Sequence, residues 1–162
     1  MFKNLFKKGK KEEKLVASMN GKVVKLEDVP DPVFNQKMMG EGIAVEPSEG
    51  EVFSPVDGKV LQIPDSKHAI GLETDQGTEI LLHVGLETVA LEGKGFTPNV
   101  NVGDKVSAGQ SLMTFDLEFI RENASSVITP MVITNSKDID KEISLAEEPE
   151  AKAGETVLIT IG

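Results

Sequence analysis

From Leu15 to the C-terminus no apolar run goes far before Gly, Pro, Asn or Asp interrupts it, and the interruptions return at roughly the 8–12-residue spacing of short strands. The intervals hold Val/Ile/Leu-rich runs at 22–26, 42–45, 58–63, 69–73, 79–84, 110–115, 127–133 and 156–161. Such runs are too short for amphipathic helices. They predict an all-β chain, an antiparallel β-sandwich or flattened barrel. The pairs Asn20-Gly21, Asp57-Gly58, Gln76-Gly77 and Gly103-Asp104 supply residues that tolerate the positive φ of tight turns. Two short helical turns are expected. One, at 31–39, follows Pro30 and carries Phe34, Met38 and Met39; the other, at 116–123, has Asp116 as its cap. Residues 19–26 (Met-Asn-Gly-Lys-Val-Val-Lys-Leu) are echoed by 56–63 (Val-Asp-Gly-Lys-Val-Leu-Gln-Ile), 37 positions on, as in a pseudo-symmetric barrel.

The 162 residues suffice for one domain with a real core, assigned to 15–162. With no cysteine the chain has no disulfide, thiolate metal site or cysteine nucleophile. Seventeen basic and 27 acidic side chains leave a net charge of −10, so a nucleic-acid partner is not expected. Residues 1–14 hold six lysines and two glutamates (+4), so the remaining 148 residues carry −14. That basic arm has no continuous apolar stretch or small-residue cleavage site and does not read as a secretory signal, so with no cysteine the chain is expected in the cytoplasm. Phe2, Leu5 and Phe6 fall on one helical face with lysines opposite, a pattern suited to peripheral contact with an anionic membrane.

His68 and His83 are the only histidines. Alternation along 79–84 sets Ile80, Leu82 and Val84 on one face and Glu79, Leu81 and His83 on the other. His68 opens the preceding run. If Gln76-Gly77 is a two-residue turn, His83 lies diagonal to His68 on the same face. A three-residue loop sets the two on opposite faces unless a bulge intervenes. Two imidazoles without an H-x-H or H-E-x-x-H motif do not build a zinc hydrolase, and no G-x-S-x-G elbow is present. One imidazole is enough for a phosphoryl acceptor. A neutral ring is a good nucleophile, the second ring can hydrogen-bond the phosphoryl oxygens, and apolar neighbours keep water from the P–N bond. That chemistry needs no metal and no cofactor.

Ile80-Leu-Leu-His-Val-Gly-Leu-Glu-Thr-Val-Ala-Leu-Glu-Gly-Lys-Gly-Phe96 resembles the active-site signature of the glucose-type IIA family of the bacterial sugar phosphotransferase system. Agreeing blocks are Glu27-Asp-Val-Pro-Asp-Pro-Val-Phe34, Lys37-Met-Met-Gly-Glu-Gly-Ile-Ala44, Ser54-Pro-Val-Asp-Gly58 with His68, and Gly103-Asp-Lys-Val with Phe115-Asp-Leu. The resemblance runs from about residue 18 to the C-terminus. It implies a phosphotransferase role. A histidine-containing phosphocarrier protein gives its phosphoryl group to His83, and the chain passes it to the IIB domain of a sugar permease. By the same resemblance His68 is the auxiliary histidine and Ser66 a hydroxyl that hydrogen-bonds within the site. The docking rim comprises Val33, Phe34, Met38, Met39, Leu81 and Val89, with Asp31 and Glu87 around it. Of Met38 and Met39, at least one is expected in the core. Because nothing follows Gly162, the permease is expected to be a separate polypeptide, and the small apolar rim suits a monomer that docks transiently. Two other readings are a biotinyl- or lipoyl-like carrier, whose turn Val102–Gly109 resembles, and a zinc-peptidase-like duplicated barrel. The first lacks the modifiable-lysine hairpin and the second the H-x-H motif.

Overall fold

A computed structural model describes residues 12–162. Phe2, Leu5, Phe6 and the rest of the arm through residue 11 lie outside the described residues. In chain order come β1 (Glu13–Val16), β2 (Gly21–Lys25), α1 (Pro32–Asn35), β3 (Glu41–Pro47), β4 (Glu51–Phe53), β5 (Gly58–Gln62), β6 (Ala69–Glu73) and β7 (Glu79–His83). There follow β8 (Phe96–Pro98), β9 (Lys105–Val106), β10 (Ser111–Phe115), α2 (Leu117–Asn123), β11 (Thr129–Ile133), β12 (Ile143–Leu145), β13 (Glu150–Ala151) and β14 (Val157–Ile161). Every strand pairing among the described residues is antiparallel.

Eight strands form one sheet in the order β13-β2-β3-β11-β7-β6-β5-β9. The other two sheets have three strands each, β1-β14-β12 and β4-β10-β8. None closes on itself, so the architecture is the sandwich of the two alternatives and not the barrel. Ile43, Ile70, Leu72, Ile80 and Leu82 of the large sheet meet Leu15 and Ile159 of one small sheet, and Val52, Leu112 and Met113 of the other, in one buried cluster. Stripping apolar area from water at roughly 25 cal/mol per Å² is what holds the layers together. The two echoed segments form β2 and β5, which start and end 37 residues apart and lie each second from an edge of the large, unclosed sheet.

The outer face of the large sheet carries a smaller cluster, in which Leu26, Val29 and Phe34 cover Ala44, Val132 and Leu86, with Leu81 packed beside them. Strand β11 is buried along its whole length because both faces are covered. Its pairing with β7 runs from Ile133↔Ile80 to Met131↔Leu82. The next residue, Pro130, therefore stands opposite His83, and without an N–H it cannot extend the ladder. The chain leaves the sheet at that point.

Several expectations need correction. The first helical turn is shorter than 31–39: only 32–35 are helical, Asp31 being the cap whose carboxylate accepts from Val33 N–H at 2.9 Å. Gly58 lies extended in β5 and makes no positive-φ turn. Strand β1 begins at Glu13, which pairs with Ile161, and Thr78 donates its hydroxyl to the Glu13 carboxylate. The second turn, by contrast, forms over 117–123 with Asp116 accepting from Phe119 N–H at 3.1 Å.

Candidate functional site

The two histidines meet on the outer face of the large sheet. In β7 the alternation places Ile80, Leu82 and Val84 in the core and leaves Glu79, Leu81 and His83 outward. The β6–β7 hairpin has the three-residue loop: Ala69 pairs with His83, Thr74 N–H donates to Thr78 O, and Gly77 takes φ +88. The two-residue turn at Gln76-Gly77 does not form. Position 68 is a bend before β6, not part of the strand. In spite of a register that would part them, the rings lie 4.8 Å apart, edge to face at 80°.

Each ring has a fixed partner. The His83 Nδ1 lies 2.8 Å from Gly85 O. A carbonyl only accepts, so Nδ1 carries the proton and Nε2 keeps its lone pair. The Gly85–Leu86 peptide is itself anchored, Leu86 N–H donating to Ser126 O at 2.9 Å. Thr129 Oγ1 accepts from Gly85 N–H at 3.3 Å, and Thr88 donates to Val84 O at 2.6 Å. Gly85 takes φ +74, and a Cβ there would stand 2.7 Å from Thr88 Cγ2 and 2.9 Å from Ser126 O. Glycine at 85 is therefore required both by conformation and by space. Ser66 Oγ lies 2.6 Å from His68 Nδ1.

Both imidazoles are held neutral. Burial pushes His68 down to about 4, with the neighbouring His83 adding to the fall. Burial likewise lowers His83, opposed by the Gly85 carbonyl and the Asp31 carboxylate. A cavity of about 230 Å³ opens over the pair, walled by Met39, Pro64, Ala69 and Leu81. Among the described residues no group of three His, Cys, Asp or Glu side chains is arranged to hold a metal ion.

The residues expected at the docking rim divide. Val33, Met38, Met39 and Val89 are exposed, Met38 at 68 % and Val89 at 57 %. Neither methionine is in the core, contrary to expectation. The reason is the end of α1: Lys37, at φ +58, donates to Phe34 O while Met38 N–H donates to Val33 O, a left-handed helix stop that turns the chain outward. The Lys37 ammonium reaches Glu41 at 3.2 Å and Glu27 at 3.6 Å. Phe34 is not at the rim surface. It is only 4 % exposed, and its ring packs against His83 at 5.1 Å. Leu81 is half-buried, Glu87 is exposed, and Asp31, placed at the periphery by expectation, is near enough to bear electrostatically on His83. Thr88, Thr129 and Lys37 escaped sequence reasoning. The signal available was two threonines and a lysine of ordinary kind, their roles set by contacts with distant residues.

The sequence profile described as phosphoenolpyruvate-dependent sugar phosphotransferase system, EIIA 1, matches residues 13–139. Proteins named PTS system glucose-specific EIIA component are similar along nearly the whole chain. The one from Staphylococcus aureus is 50 % identical over 164 residues, covering 99 % of this chain and 98 % of its own. That of Bacillus cereus is 51 % identical over 163 residues, with the same coverage. Among solved structures, glucose permease IIA from Mycoplasma capricolum superposes with a TM-score of 0.86 at 37 % identity, over 92 % of this chain and 96 % of its own.

Proposed function

This chain belongs to the phosphoenolpyruvate-dependent sugar phosphotransferase system EIIA 1 family, and on that premise we propose that it is a cytoplasmic phosphocarrier whose His83 Nε2 takes a phosphoryl group from a histidine-containing phosphocarrier protein and gives it to the IIB domain of a sugar permease. The observation that carries the reading is the pair of neutral imidazoles in contact, one with its Nδ1 proton committed to a backbone carbonyl. In the first transfer the Nε2 lone pair attacks phosphorus. The P–N bond to the carrier's imidazole breaks, and that bonding pair returns to the carrier's ring. The second transfer repeats this with the IIB acceptor as nucleophile and His83 as leaving group.

His68 acts as a hydrogen-bond donor to the phosphoryl oxygens. That role requires the Nε2-protonated tautomer of His68, in which Nδ1 accepts from the Ser66 hydroxyl 2.6 Å away. Its low affinity for protons keeps the ring neutral until a phosphoryl dianion arrives next to it, and the dianion then raises that affinity. Phe34 and Leu81 exclude water from the P–N bond, and Val33, Met38, Met39 and Val89 offer an apolar landing surface. Asp31 and Glu87 at its edge suit basic partners. Little net free energy separates the phosphorylated species, so the protein contributes alignment and charge stabilisation.

Incubation with phosphoenolpyruvate, the general phosphotransferase enzyme and the carrier protein tests this. An acid-labile, base-stable phosphate should appear on His83. His83→Ala should abolish labelling, and His68→Ala should accept but fail to donate onward. Full labelling of the His83→Ala protein would overturn the assignment.

A further inference from the structure

The contact between the two imidazoles runs against the register of the strands that carry them. Ala69 stands opposite His83, and Val84 N–H donates to His68 O at 2.7 Å, so the ladder still extends through position 68. In the alternation of β6 that position shares the phase of Ile70 and Leu72, both in the core. Yet the His68 ring lies on the outward side, 4.8 Å from His83 and within reach of Ser66. The chain bends at position 68, and the residue before it is irregular too. Lys67 takes φ +58 and closes the turn 64–67 by donating to Pro64 O at 2.8 Å. The last position of such a turn favours glycine, and a lysine held in the left-handed region is strained. The Lys67 side chain is exposed and, among the described residues, makes no ion pair.

We propose that Lys67 is a positioning residue, whose left-handed backbone closes the turn 64–67 and so brings Ser66 beside the His68 ring, holding that ring on the face that bears His83. Side-chain charge plays no part; conformation does. This inference rests on the functional reading above only for its kinetic consequence.

The full chain with K67G, K67N, K67A or K67V separates backbone from charge. Glycine and asparagine accept positive φ, alanine resists it, and valine resists it most. In K67G and K67N, NMR should find His68 still titrating at about 4, and onward transfer to a IIB domain should stay within about twofold of the parent chain. In K67V the His68 titration should move up toward its ordinary value and onward transfer should slow about tenfold or more, while His83 still accepts phosphate. K67A should fall between, and carries the test if K67V fails to fold. Two results overturn the inference: an unshifted His68 in K67V and K67A, or equal loss in K67G and K67V, which would make the ammonium the active part. Absence of any label on His83 in the parent chain would defeat the functional reading instead, and the His68 titrations would still decide the present one.

Discussion

At the scale of single residues the site is a pair of rings kept uncharged by burial, and its pH behaviour follows. His68 titrates at about 4 in the folded chain against 6.5 ordinarily. Between those values the unfolded chain binds more protons than the folded one. The stability that neutral His68 contributes is therefore complete above pH 6.5 and is lost as pH falls through the window down to about 4. We expect thermal unfolding at pH 5 to show a loss on the order of 1–2 kcal/mol relative to pH 7 from this group, and a His68→Gln variant to show a shallower dependence. A melting temperature whose pH slope is the same in both proteins would count against burial as the cause. His83, lowered in the same direction, should still accept phosphate at pH 6, where an unburied histidine would be mostly protonated. The outward face of His83 was legible in the alternation of 79–84. The nearness of His68 was not, because the register of the hairpin would part the rings and the chain bends at position 68, which no periodicity encodes.

At the scale of elements the turn after β7 decides how the His83 ring is presented. Pro130 ends the ladder opposite His83, and Gly85 then brings its carbonyl back to Nδ1. Replacing Gly85 by alanine would force a Cβ against Thr88 and the Ser126 carbonyl at a φ alanine resists. The expected cost is about 1–3 kcal/mol in urea unfolding, with phosphoryl acceptance slowed about tenfold as the carbonyl shifts. Normal stability and normal acceptance in Gly85→Ala would refute the role given to this peptide. Strands such as 69–73 were readable end to end because β-branched and leucine residues alternate there between bounding turns. The edge pieces β1, β8 and β13 were not. Glu13 and Lys14 look like solvated linker, Pro98 argues against a strand, and Glu150-Ala151 is too short to show a period. Their pairing comes from tertiary contact, not from local preference.

At the scale of the molecule, partner binding should reside in the exposed apolar corner built by the left-handed stop of α1. Met38→Asp places a charge where a partner would bury a thioether. It should raise the apparent KM for the phosphocarrier protein about tenfold and leave the fold intact, since Met38 is 68 % exposed. Steady-state transfer assays and a thermal melt check both halves. An unchanged KM would move the docking surface elsewhere.

The placement of the imidazole pair has one more consequence. Its sheet turns Leu82 and Val84 inward to a packed interior and holds His83 on the other side. A dianion held there would meet Phe34 and Leu81 of the smaller cluster and leave the main core untouched. On the proposed function, loading and unloading would leave the main core packed as it is, and throughput would be set by how often the right surfaces collide.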